Sequence, residues 1–182
     1  MYYDQNETAQ GASTRQEAGN LQVGDKEWFQ KAAEQGDANA QFNLGCCYDK
    51  GHGCEQDLNK AKEWFQKAAE QGHADAQFNL AIYYAKGNGC KQDLFEAKKW
   101  YQKAAEQGHA LAQYNLSRCY DKGHGCEIDL FEVKKWVQKA AEQGHAQAQC
   151  DLGVCYDKGD GCKQDHFEAK KWYQKAAEQG HA

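Results

Sequence analysis

Tryptophan stands at Trp28, Trp64, Trp100, Trp136 and Trp172, so every interval is 36 residues. A fixed period of that length marks an array of one supersecondary unit, in which no copy buries its apolar face alone and stacking supplies the core. Four full units read without insertion or deletion: 37–72, 73–108, 109–144 and 145–180. Residues 25–36 match only the second half of a unit, and residues 181–182 are the first two of another. Residues 1–24 are polar, small and aperiodic, the composition of a flexible segment, although "MYYD" at Met1–Asp4 looks like the tail of one more first helix.

Each unit reads as two helices. In the first copy Ala40, Leu44, Cys47 and Tyr48 fall at i, i+4, i+7 and i+8. That is one face of a helix over Ala38–Lys50, which Gly51 closes in the left-handed conformation. After "GHGCEQ", Asp57 is placed to cap a second helix whose Leu58, Ala61, Trp64, Phe65, Ala68 and Ala69 share a side and which ends at Gly72. In later copies Asp93, Asp129 and Asp165 are followed three residues on by Glu96, Glu132 and Glu168, the pattern of a reciprocal capping box. His73, His109, His145 and His181 recur at the turn between units, where Asp37 stands in the first copy, and read as helix-start residues rather than ligands. Helices this short are marginal alone, so stability comes from stacking hairpins. Gly45, Ala81, Ser117 and Gly153 occupy one position of the first helix, which lets neighbouring backbones approach. The expected fold class is all-α, an α-solenoid of helix-turn-helix repeats.

Charge narrows the partners. The chain carries a net charge of -5 with its lysines interleaved among acids, whereas a nucleic-acid binder clusters Lys and Arg to neutralise phosphates. A helical-repeat RNA reader is disfavoured on the same ground. No run approaches the roughly eighteen apolar residues of a membrane span, and the N-terminal stretch lacks the basic start and apolar block of a signal peptide. The expected compartment is the cytoplasm, or a secretory one if the cysteines are oxidised. There is no Gly-rich phosphate loop, nucleophile elbow or HExxH, and the serines are Ser13 and Ser117, so neither catalysis nor a cofactor is expected.

"KAAEQGHADAQFNLAIYYAKGNG", followed by D-L-x-x-A-x-x-W, resembles the Sel1-like repeat family, relatives of the tetratricopeptide repeat. The likeness runs over residues 25–182: the AEQGxAxAQ turn, the L-G-x-x-Y helix and the G-x-G loop recur in order. It implies a right-handed solenoid whose first helices line a concave surface, and a scaffold or adaptor that binds other proteins. Where the family usually has valine after G-x-G, this chain has Cys54, Cys90, Cys126 and Cys162.

Those thiols admit three readings. Cys47, His52 and Cys54 could supply three metal ligands, but His52 becomes Asn88 and then Asp160, and Cys47 becomes Tyr83, so the set survives in only two units. Cys47 with Cys54, Cys119 with Cys126, and Cys155 with Cys162 make three candidate disulfides of equal separation. The cysteine-rich bacterial members that the family resemblance brings in staple their hairpins elsewhere, near the position of Ala69. The leading reading is packing, because free cysteine behaves as a small hydrophobe and both positions are apolar in the family pattern.

Once the buried sides are assigned, one stripe of each first helix is left over. It comprises Asn39, Asn43, Cys46 and Lys50; then Asp75, Asn79, Ile82 and Lys86; then Leu111, Asn115, Arg118 and Lys122; then Gln147, Asp151, Val154 and Lys158. The rows of Asn and Lys suit a peptide backbone and an acidic segment. They equally suit a solvated helix face. At the ends of the array Leu152, Tyr156 and Trp172 are expected to be incompletely covered, with a similar edge at 25–35, which points to head-to-tail association of copies.

Overall fold

The computed structural model describes residues 23–180; the flexible character read for the first 22 residues, the "MYYD" likeness and residues 181–182 lie outside them. The described residues are helical throughout, apart from turns. In order they form α1 (Val23–Glu34), α2 (Ala38–Lys50), α3 (Leu58–Glu70), α4 (Ala74–Lys86), α5 (Leu94–Glu106), α6 (Ala110–Lys122), α7 (Leu130–Glu142), α8 (Ala146–Lys158) and α9 (His166–Glu178). Each helix packs on the one before it and the one after it, the contact pattern of a helical-repeat solenoid. Helix α1 begins at Val23, two residues before the start read from the period.

The punctuation works as local chemistry requires. Gly51, Gly87, Gly123 and Gly159 end the first helices with φ of 71°, 76°, 68° and 79°, a conformation that costs other residues a Cβ clash. The second glycine of the loop has a different task. A Cβ on Gly89 would stand 2.4 Å from the carbonyl oxygen of Leu58, and one on Gly161 would stand 2.1 Å from that of Leu130. Each loop is thereby pressed against the start of the preceding unit's second helix. Asp57 Oδ1 accepts from the amides of Asn59 and Lys60 at 3.1 and 3.0 Å, as expected of a cap.

The capping box is a correction. Its reciprocal half would use the backbone N–H of Asp93, Asp129 or Asp165, but those groups already donate to Tyr84, Tyr120 and Tyr156 carbonyls at 2.9, 3.2 and 2.8 Å. Glu96, Glu132 and Glu168 turn outward instead and pair with Lys99, Lys135 and Lys171.

A continuous core runs along the array. Leu44, Leu80, Leu116 and Leu152 are fully buried in successive units, and Trp100, Trp136 and Trp172 are buried on the second helices. Gly45 lies under the Phe65 ring, where a Cβ would come within 2.7 Å, and Gly153 lies likewise under Tyr173. The ends of the described array differ from the expectation. Leu152 and Trp172 are buried because they face inward, in a cluster with Val137 on α7. Tyr156 is only partly buried against the same cluster, and what lies open is Tyr173 on α9 and Trp28 on α1, which is 65% exposed. Among the described residues no helix is long and apolar enough to cross a membrane.

Candidate functional site

The first helices are pinned to one another by contacts that the repeat pattern concealed. Gln41, Gln77, Gln113 and Gln149 are buried, and each donates Nε2 to a carbonyl near the end of the preceding second helix: Ala33, Ala69, Ala105 and Ala141, at 3.1 to 3.2 Å. Each also accepts, through Oε1, from the glutamine that ends its own unit's second helix: Gln71, Gln107, Gln143 and Gln179, at 2.7 to 2.8 Å. One side chain thus ties three helices. Buried amides of this kind are costly unless both ends are satisfied, and both are.

The periodic histidines are N-caps, as read. Nδ1 of His73, His109 and His145 accepts from the amides of Ala76, Ala112 and Ala148 at 3.3, 3.1 and 3.1 Å, and Asp37 fills the role in the first unit. A ring nitrogen that accepts must be unprotonated, and burial holds the pKa of His73 below its ordinary value. Each ring also stacks on an aromatic residue of the preceding first helix: Phe42 on His73, Phe78 on His109 and Tyr114 on His145, with centroids 4.5 to 4.6 Å apart. On the second helices Lys26, Lys62, Lys98 and Lys134 each lie over the tyrosine of the next unit, Tyr48, Tyr84, Tyr120 and Tyr156, at 4.7 to 5.3 Å.

On this scaffold the left-over stripe is accessible. Asn39, Lys50, Lys86, Lys122, Gln147 and Lys158 are exposed, while Asn43, Asp75, Asn79, Ile82, Leu111, Asn115, Arg118 and Asp151 are half-buried. Several members are engaged in holding the array. Asp75 accepts from His109 Nε2 at 3.2 Å, which lowers the pKa of Asp75. Asp151 accepts from the Tyr114 hydroxyl at 3.1 Å and from Gln147 Nε2 at 3.0 Å. Asn115 donates to the Leu111 carbonyl one turn back at 3.0 Å, so this rung solvates its own helix. Lys122 pairs with Asp121. Asn43 and Asn79 make no such side-chain bond among the described residues. Adjacent rungs are also joined where the Tyr83 hydroxyl donates to Asp49.

The nine cysteines, all within the described residues, are thiols. Cys54, Cys90, Cys126 and Cys162 each lie 3.6 to 3.7 Å from a carbonyl in the last turn of the preceding first helix, that of Cys47, Tyr83, Cys119 and Cys155. The contact is the same in the second unit, where Tyr83 replaces a cysteine, so it requires no partner thiol. Burial pushes Cys46 and Cys119 up to about 12 and Cys155 to about 11, which keeps these sulfurs protonated and unreactive at neutral pH. Among the described residues no three His, Cys, Asp or Glu side chains converge as metal ligands.

A sequence profile of the Sel1 repeat matches residues 26–37, 38–73, 74–109, 110–145 and 146–181. Among solved structures, a protective antigen present in uropathogenic Escherichia coli strains, displaying an SLR fold, is 42% identical with a TM-score of 0.83. The match covers 89% of this chain and 34% of that one. A Sel1 repeat protein from Oxalobacter formigenes is 39% identical with a TM-score of 0.76, over 85% of this chain and 62% of that one. Among curated proteins, DAP3-binding cell death enhancer 1 of Rattus norvegicus is 44% identical over 46 residues, 23% of this chain and 9% of its own length. The chain therefore spans only a small part of that relative and about a third to two thirds of the two structures.

Proposed function

Because the chain belongs to the Sel1 repeat family, whose members act as protein-interaction scaffolds, we propose that it is a non-catalytic adaptor holding a peptide segment of another protein along the stripe of its first helices. The observation that carries this reading is the contrast within the stripe. Asn43 and Asn79 are half-buried amides with no side-chain hydrogen bond among the described residues, and Lys50, Lys86, Lys122 and Lys158 form an exposed row at one end of successive rungs. Between them Cys46, Ile82, Arg118 and Val154 change from unit to unit, as a surface that discriminates among ligands requires. The rungs are set in place by the glutamine, histidine and tyrosine contacts, so little ordering cost falls on binding. The rat relative is, by its name, a DAP3-binding protein, which supports protein recognition as the activity.

Replacing Asn79, Lys86, Asn115 and Lys122 together by Ala removes two amides and two charges from exposed or half-buried positions. Affinity capture from source extract with wild type and this variant tests the reading: partner recovery is lost while helicity and melting temperature stay nearly unchanged. Equal recovery by both proteins places the site elsewhere. Head-to-tail contact between copies rests separately on Trp28 and Tyr173, open at the two ends of the described array. Light scattering that finds a monomer at every concentration would refute it.

A further inference from the structure

The four hairpins repeat one design, and the third departs from it where its second helix is seated on its first. In the other units a glutamine ties the loop down, its Nε2 donating to a carbonyl at the end of the first helix: Gln56 to Asp49, Gln92 to Ala85 and Gln164 to Asp157, at 2.7 to 2.8 Å. The third unit has Ile128 there, which cannot make the bond and stands 64% exposed. One residue on, the Asp129 amide reaches the Tyr120 carbonyl at 3.2 Å, against 2.8 to 2.9 Å for Asp57, Asp93 and Asp165. Leu130 is exposed, while Leu58 and Leu94 are half-buried. Val133 is only half-buried, where Ala61, Ala97 and Ala169 are closed off at 0 to 2%, because a slot shaped for alanine does not admit valine whole. Val137 replaces the rings of Phe65 and Tyr101, which meet Phe42 and Phe78 of their own first helices with centroids 5.9 Å apart. Asp129 still caps α7 as its equivalents cap theirs, so the helix is intact and its seat is what has weakened.

We propose that the third hairpin is the weak joint of the array: the loop at 123–129 and the start of α7 lift from the end of α6 in a local opening that leaves the other hairpins folded. The ease of such an opening follows the bonds and buried contacts that must be given up, and this seam has fewer of both than its equivalents. In a solenoid each helix packs only on its neighbours in the chain, so one hairpin can open without unfolding the rest. The second hairpin is the proper comparison, since like the third it has a folded unit on each side. The seam lies at the end of α6 that carries Lys122, beside the third rung of the stripe, and elements that adapt to a ligand are drawn from the least stable parts of a fold. The opening itself stands apart from the function proposed for the stripe.

Native-state hydrogen exchange on the full chain, resolved to single amides, tests the proposal. After correction for intrinsic rates, the amides of Asp129 and Val133 exchange about tenfold or more faster than those of Asp93 and Ala97, their equivalents in the second hairpin. Low urea barely changes these rates, because a local opening exposes little surface, whereas the amide of the buried Leu80 responds steeply. The variant Ile128→Gln/Val133→Ala, whose new residues are those of the other three units, brings the Asp129 amide to within about threefold of Asp93 and leaves Asp93 unchanged. Equal rates in the two hairpins would overturn the proposal. So would a urea dependence at Asp129 as steep as that of Leu80, which would mean global unfolding, or a variant that leaves the third hairpin unchanged or slows both hairpins alike.

Discussion

Gln113→Ala tests whether the buried glutamines hold the units together. Gln113 is 4% exposed, donates to Ala105 at 3.1 Å and accepts from Gln143 at 2.7 Å. Each bond contributes about 1 kcal/mol net. The buried volume removed adds about 1 kcal/mol more. The Ala105 carbonyl still accepts from the Gly108 amide at 3.0 Å, and Gln143 lies at an exposed helix end where water replaces its partner, so no orphaned group adds to the loss. The expected cost is therefore about 2 to 3 kcal/mol. Urea unfolding followed by far-ultraviolet circular dichroism measures it, with Gln174→Ala on the exposed face of α9 as a control expected within about 0.5 kcal/mol of wild type. A cycle with Gln143→Ala should return a coupling of about 0.5 to 1.5 kcal/mol. A Gln113→Ala cost no larger than that of the control would refute the reasoning.

Trp136 is buried and Trp28 is 65% exposed, so Trp136→Ala should cost about 3 to 5 kcal/mol and Trp28→Ala less than about 0.5; equal melting shifts would overturn the facing of the second helices. His73 caps α4 as a neutral ring, with Phe42 stacked on it and the carboxylates of Asp75 and Asp37 partly opposing the effect of burial. Its folded pKa is depressed, so its stability contribution is present above the ordinary value of about 6.5 and is lost as pH falls through the folded value. His73→Asp, the cap used by the first unit, should flatten the decline in melting temperature between about pH 7 and about pH 5, and an identical profile would contradict the neutral cap. The denatured chain, purified without oxidant, should titrate nine thiols; three would establish the paired cysteines instead.

The period, the helix bounds and the left-handed glycines were legible because each is a local signal repeated four times, and Leu44 with its equivalents announced the core by spacing alone. The capping box misled because Asp93 and its equivalents meet a tyrosine carbonyl brought by the first helix, a contact no local pattern contains. Gln41 and Gln71 were visible in every unit, but a polar residue at a fixed position reads as surface until the opposing carbonyl is known. Within the stripe, spacing identified the accessible rungs, yet the Asp75 to His109 and Tyr114 to Asp151 contacts cross between units and lie beyond helical periodicity. The exposure of Phe95, Phe131 and Phe167 went unread because aromatic residues at helical positions look like core until their burial is known.

Photo-crosslinking tests the central claim most directly. A benzophenone side chain is placed at Ile82, half-buried in the middle of the stripe, or at Gln66 on the outer face of α3, where the unit carries Asn59 in place of phenylalanine. With the partner recovered by affinity capture, the account predicts a covalent adduct from Ile82, mapped to one segment of the partner, and none from Gln66. An adduct from Gln66 with none from Ile82 would contradict it.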